Sequence, residues 1–167
     1  MIIDEDIVAG GVTPFIITKL IERHERERQR YRLLHDYYMG DHRILSRRKR
    51  GKNVANNRIM CNHAKYITDM TQSYLVGNPV TYAVSDEYDI EAIKNEYLEQ
   101  DMPSVDSEIV KNMSIYGKAY ELIYADEKSK PRSVRLDPEH TFVCYSQSAF
   151  EKPLFAVYYY KKYDLDG

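Results

Sequence analysis

The residues of this chain with the types and spacing for chemistry fall into three groups. The first is the basic run Arg43, Arg47, Arg48, Lys49, Arg50 and Lys52, which has no acid after Asp41. Such a run suits phosphate contact, because each Lys or Arg that neutralises a phosphate releases a counterion and adds salt-dependent affinity. No aromatic side chain interrupts it, so nothing is offered for stacking on single-stranded bases. The same run also reads as a solvated loop, or as a partner for an acidic surface. The second group is Cys61, His63, His35 and His42. Cys-x-His is not a zinc spacing and no paired-ligand signature accompanies it, so no metal site is expected. The third is a block of carboxylates, Asp86, Glu87, Asp89, Glu91, Glu96, Glu99, Asp101, Asp106 and Glu108, set against Lys94 alone. Its ordinary reading is an acidic helix face. The chain has no phosphate-binding Gly-rich loop, no dinucleotide turn, no Gly-x-Ser-x-Gly and no His-Glu-x-x-His. No catalytic residue and no cofactor are therefore expected.

Bulk properties narrow the setting. The 167 residues suit one ordinary domain, and 43% hydrophobic content is enough to build a core. A formal net charge of −2 gives no overall drive toward nucleic acid or membrane. The two cysteines make no disulfide framework, which fits a reduced compartment. No apolar run approaches the roughly 18 residues of a membrane span, and the acidic start lacks the basic region of a signal peptide. Sixteen Tyr stand beside four Phe and no Trp. Tyrosine suits half-buried boundaries and also subunit interfaces, and the excess fits either.

The elements that must position these groups read as α+β: about four helices, then an antiparallel β-meander. Residues 1–12 are acidic and end in Gly10-Gly11, as a flexible arm would. Residues 13–167 then form a single domain. Thr13-Pro14 opens a helix that runs to Met39 and stops at Gly40. Its start should bury Phe15, Ile16, Ile17, Leu20 and Ile21. Its middle, Glu22 to Arg32, is almost wholly charged, with Glu22–Arg26 and Glu25–Arg28 as favourable pairs, and predicts an exposed rod. Residues 41–57 form the basic loop. Asn62 caps a second helix whose stripe is Ala64, Ile67, Thr68, Met70, Thr71, Tyr74 and Leu75. Gly77, taking a left-handed conformation, ends it, and Pro79 forbids its return. Val80, Thr81 and Tyr82 read as a strand. A third helix covers about 89–100 with Ile90, Ile93, Tyr97 and Leu98 on one side. Asp106 or Ser107 opens a fourth, with Ile109, Val110, Met113 and Tyr116 inward and Gly117 as its stop. The period then alternates: a half-buried strand at 119–124 and further strands at 133–136, 141–145 and 154–163.

Taken together, Tyr37, Tyr38, Gly40 and His42, followed by Asn57 and Ile59, then Gly77, Pro79 and Val80, resemble the N-terminal region of the portal proteins of tailed bacteriophages. The likeness covers roughly the whole chain and is most specific between Tyr37 and Tyr82. It implies a structural, non-enzymatic subunit, here the N-terminal part of the outer wing domain. In that family subunits form a homo-oligomeric ring at the capsid vertex of the virion, after assembly in the host cytoplasm. Double-stranded DNA passes through the ring, which docks terminase, capsid or scaffold, and connector proteins; no membrane is involved. A complete portal is much longer, so the resemblance implies a piece of a longer protein or a truncated prophage gene. The alternative is a stand-alone DNA-binding or assembly-adaptor protein using loop 43–52.

Overall fold

The computed structural model describes residues 1–48, 51, 55–85 and 89–162. Among the described residues the fold is α+β, with a short first strand, four α-helices and then antiparallel strands in two small sheets. Where one domain was expected, contacts divide the chain into two compact units: Met1–Tyr31 with the chain from Leu136 onward, and Arg32–Arg135. Helix α1 (Pro14–Met39) contributes its first part to one unit and its last turns to the other.

Helix α1 has the predicted limits because both ends are chemically marked. Thr13 Oγ1 accepts from Ile16 N at 3.4 Å, and Pro14 sits at the first helical position, where a missing N–H costs nothing. At the far end Gly40 has φ 90°, which favours glycine. Asp41 N donates to Asp36 O at 2.8 Å and Gly40 N to Tyr37 O at 3.2 Å, which satisfies two otherwise orphaned carbonyls.

In the first unit, β1 (Ile2–Ile3) runs parallel to β4 (Thr141–Ser146), and β4 pairs antiparallel with β5 (Pro153–Tyr158). The expected flexible arm is thus tied down at its start. The Met1 amino group donates to Val143 O at 2.7 Å, and Ile3 is buried. Two adjacent isoleucines before the acids supply the apolar anchor that an acidic arm lacks. Ile3, Leu20, Phe142 and Cys144 form the core, and Ile16, Ile21, Leu154, Phe155 and Val157 pack around it. Phe15, expected inside, is 72% exposed.

The charged middle of α1 is not a plain solvated rod. His24 is 1% exposed and Tyr31 4%. The ring of His24 lies 4.8 Å from that of Phe142, and its Nδ1 is 3.0 Å from the Tyr159 hydroxyl. Leu20, His24, Tyr31 and Tyr38 lie on one helical stripe, so an imidazole carries the buried face through the polar stretch. Glu25 pairs with Arg28 at 3.1 Å as expected, whereas Glu22 pairs with Lys19 rather than Arg26.

In the second unit, α2 (His63–Val76) packs against α4 (Met102–Tyr116). The contact includes polar bonds: Ser114 Oγ donates to Thr68 Oγ1 at 3.2 Å, and Gln72 Nε2 donates to Ser107 Oγ at 2.7 Å. Asn62 caps α2 as predicted, accepting from Lys65 N at 3.0 Å. Gly77 ends it, but with φ −64° rather than a left-handed turn. Glycine is needed there for a different reason, because a Cβ would collide with the Ser73 carbonyl oxygen. Val80, Thr81 and Tyr82 do not form a strand, and they pair with none among the described residues. Helix α3 (Glu91–Glu99) leaves Ile93 and Leu98 exposed. Helix α4 starts four or five residues earlier than expected, since Pro103 is tolerated in a first turn. Its Met113 faces solvent while Asn112 is buried.

Strands β2 (Tyr120–Ala125) and β3 (Pro131–Leu136) form a separate hairpin, so the expected single meander is split into two sheets. The break is the tight turn at Pro138–His140. Asp137 accepts there from Glu139 N at 2.9 Å, and its carbonyl accepts from Thr141 Oγ1 at 2.7 Å. Strand β2 is exposed on both faces rather than half-buried. The predicted end of the last strand at Tyr163 lies outside the described residues.

Candidate functional site

A polar constellation of the second unit gathers around Tyr38, at the end of α1. Tyr38 is 9% exposed. Its hydroxyl donates to Asp69 Oδ1 at 3.3 Å. Two ammonium groups, those of Lys65 and Lys111, lie 5.0 and 5.8 Å from the centre of its ring. Both sit within the range in which a cation is attracted by an aromatic face. Lys65 also pairs with Asp69 at 2.8 Å. The hydrogen bond to Asp69, followed by that to Tyr38, raises the Lys65 ammonium above its ordinary range. The hydrogen bond from Lys65 holds the Asp69 carboxyl below its own.

The residues before α2 close this junction. Asn62 Nδ2 donates to Tyr38 O at 2.9 Å, so one side chain both caps α2 and holds the end of α1. Tyr37 stacks on His42, with ring centres 4.7 Å apart, and His42 Nε2 lies 3.1 Å from Tyr37 O. A Cβ on Gly40 would meet Asn62 Nδ2 at 3.3 Å and Met60 Cε at 3.1 Å. The structure therefore brings Tyr37, Tyr38, Gly40 and His42 together. It does not bring in Asn57, Ile59, Gly77, Pro79 and Val80: Ile59 is 72% exposed, and the other four also face solvent. Sequence reasoning passed over Lys65, Asp69 and Lys111. The Lys65–Asp69 spacing of four on a helix was the available signal.

Of the basic run, Arg43, Arg47 and Arg48 are exposed, and their side chains make no ion pair among the described residues. Lys49, Arg50 and Lys52 lie outside those residues. The acidic block is largely matched elsewhere. Glu96 and Glu99 pair with Lys130 at 3.3 and 3.0 Å. Arg132 pairs with Glu96 at 3.3 Å and with Asp126 at 3.0 Å. Glu91 pairs with Lys94 and Glu108 with Lys111. Gln100 adds a clamp on β3, donating to Pro131 O at 2.8 Å and accepting from Ser133 N at 2.9 Å. Asp86 and Glu87 lie outside the described residues.

Among the described residues no group of three or more His, Cys, Asp or Glu side chains is placed to hold a metal. Cys61 is exposed, and Cys144 is buried in the first unit, where burial pushes its thiol up. A groove of about 540 Å³ in the first unit is lined mainly by Ile2, Ile3, Ile7, Phe15, Ile16 and Leu20, with Asp4, Lys19, Arg23 and Gln147 as its polar groups. These do not converge on an acid–base pair or a nucleophile. No helix among the described residues is long and apolar enough to cross a membrane. The arrangement is that of a joint between helices followed in the chain by the exposed Arg43, Arg47 and Arg48.

Comparison with known proteins identifies a family. The family model described as phage portal protein, SPP1 Gp6-like, matches residues 17–167. The portal protein of Bacillus phage SPP1 is 31% identical over 157 residues, covering 87% of this chain and 30% of that protein. The chain thus spans under a third of that relative's length. With the match running through nearly every element described above, the chain belongs to the SPP1 Gp6-like family of phage portal proteins.

Proposed function

We propose that residues 13–167 are the N-terminal part of the wing of a portal subunit. The full subunit assembles with its own copies into the ring at one capsid vertex, through which double-stranded DNA enters and leaves. The observation that carries this reading is the family match along residues 17–167. The role is mechanical rather than enzymatic, and the energy for DNA movement is supplied by a terminase docked on the ring. Capsid or scaffold proteins and head–tail connectors are the remaining partners. The protein is assembled in the host cytoplasm and resides in the virion.

A ring joins unlike faces of successive copies, so each subunit needs two different contact surfaces. One modest contact repeated around the ring sums to a large effect. In this reading the basic run from Arg43 to Lys52 faces DNA or a neighbouring subunit. The exposure of Arg43, Arg47 and Arg48 supports it. The test is to inactivate the gene in the phage that encodes it and inspect the particles by electron microscopy. Heads without DNA are the expected result. DNA-filled heads at normal yield would reject the reading. Reversing the charges of 43–52 is expected to reduce ring assembly or DNA retention; full rings with full heads would exclude a role for that loop.

A further inference from the structure

Helix α2 has an apolar face that the described residues of its own unit leave exposed. Thr68 and Gln72 turn toward α4. On the other side Tyr66, Met70 and Tyr74 follow one another at intervals of four, and Ile67 lies beside them. They are 63, 54, 89 and 60% exposed. Side chains four apart on a helix form one continuous row. These four offer roughly 500 Å² of apolar surface, taking the usual 150–250 Å² for an aromatic side chain. That is more than half of the about 800 Å² that each partner contributes to a standard protein interface, before any rim is counted. The row carries no charge, which argues for a protein partner rather than nucleic acid. Tyr and Met are also the residue types enriched at protein interfaces.

A complementary feature lies beside α3. Pro79, Val80, Tyr82, Tyr97 and Leu98 line an open apolar groove of about 350 Å³, with Lys94 at its edge. Resting on the reading of the chain as part of a ring-forming subunit, we propose that the row Tyr66–Met70–Tyr74 of one copy seats in this groove of the next copy. Tyr74, the most exposed of the four, is the anchor. Its ring enters between Tyr97 and Leu98, and its hydroxyl reaches the Lys94 edge. The contact joins two different faces, so it propagates from copy to copy instead of closing a two-fold dimer.

Sedimentation velocity over a wide concentration range tests this, with Tyr74→Glu and Met70→Asp altering the row and Leu98→Glu altering the groove. All three sites are more than half exposed, and far-UV circular dichroism checks that the variants fold. Wild type is expected to self-associate. Each variant is expected to weaken association about 30-fold or more, as loss of an interface anchor does. An equimolar mixture of Tyr74→Glu and Leu98→Glu should regain a one-to-one complex that does not grow, because one copy keeps the row and the other the groove. A wild type that stays monomeric overturns the proposal. So does association untouched by Tyr74→Glu, or a Leu98→Glu protein that associates normally. Any of these leaves the portal reading standing, because that reading is judged by DNA-filled heads.

Discussion

Replacing His24 with Ala removes a fully buried ring from the middle of α1. The imidazole sits against Phe142 at 4.8 Å, Tyr159 at 5.9 Å and Tyr31 at 6.2 Å, measured between ring centres. Truncating a buried ring of this kind costs roughly 3–4 kcal/mol, because a cavity is left as well as lost contact. Loss of the 3.0 Å bond between Nδ1 and the Tyr159 hydroxyl adds about 1 kcal/mol. His24→Phe helps to separate the two effects: it keeps a somewhat larger ring in place and removes the bond to Tyr159, so about 1–2 kcal/mol should be lost, less than in His24→Ala. In a chain of this size each kcal/mol moves the melting temperature by roughly 2–4 °C. Thermal unfolding followed by circular dichroism should therefore place His24→Ala about 10 °C or more below wild type. His24→Phe should lie within a few degrees of it. A His24→Ala protein that melts with wild type would show that α1 does not hold the β4–β5 sheet through this ring, and the reasoning would fail.

Gly77→Ala should destabilise by more than about 1 kcal/mol in urea unfolding, although Ala ordinarily favours helices, because its Cβ meets the Ser73 carbonyl. A neutral or stabilising result would refute that close approach. Tyr38→Phe should cost only about 1 kcal/mol, by loss of the hydroxyl bonds to Asp69 and Lys65, whereas Tyr38→Ala should cost about 3 kcal/mol or more. The same unfolding assay distinguishes the two. Asp126 accepts backbone N–H bonds from Lys130 and Lys128 and a side-chain bond from Arg132, and its carboxyl is held below the ordinary range, with the Lys130 bond as the largest cause. A depressed carboxyl stabilises the fold above its ordinary value, and that stabilisation is lost as the pH falls below about 4. Acid titration of unfolding should show this dependence reduced in Asp126→Asn. Replacing Arg43, Arg47 and Arg48 with Ala should change stability by less than about 0.5 kcal/mol, because exposed unpaired charges contribute little to a fold; a large loss would mean the loop is structural.

What the sequence made legible was local chemistry. Thr13-Pro14, Gly40, Asn62 and Gly117 each mark an element end through their own backbone or side-chain properties, and each marks it in the structure. The acid-bearing turn at Asp126 and the tight turn at Pro138 separate strands for the same reason. What stayed hidden was anything that depends on a distant partner. The anchoring of Ile2 and Ile3 needs Tyr145 and Ser146, more than 140 residues away in the chain. Val80–Tyr82 has strand-forming residues but no strand to pair with among the described residues, and propensity alone cannot supply one. Around Tyr38, the Tyr and Gly positions could be read as a motif. The charges that hold the Tyr38 ring come from α2 and α4, and their convergence could not be read.

The apolar stripe of α2 carries the most consequence. Apolar period identifies a face that is covered by something, and it does not say whether the cover belongs to the same chain. Here the helix meets its own unit with Thr68 and Gln72, while Met70 and Tyr74 look outward. A monomeric protein would gain by placing its larger apolar side chains against α4 and its threonine outside. The inverse arrangement has a cost in free solution that burial against another molecule would remove. A polar internal contact beside an apolar external one is the expected order for an element whose main burial comes with assembly. Tyr66 and Tyr74 suit that role, since Tyr tolerates water before assembly and contributes a large apolar area once water is excluded.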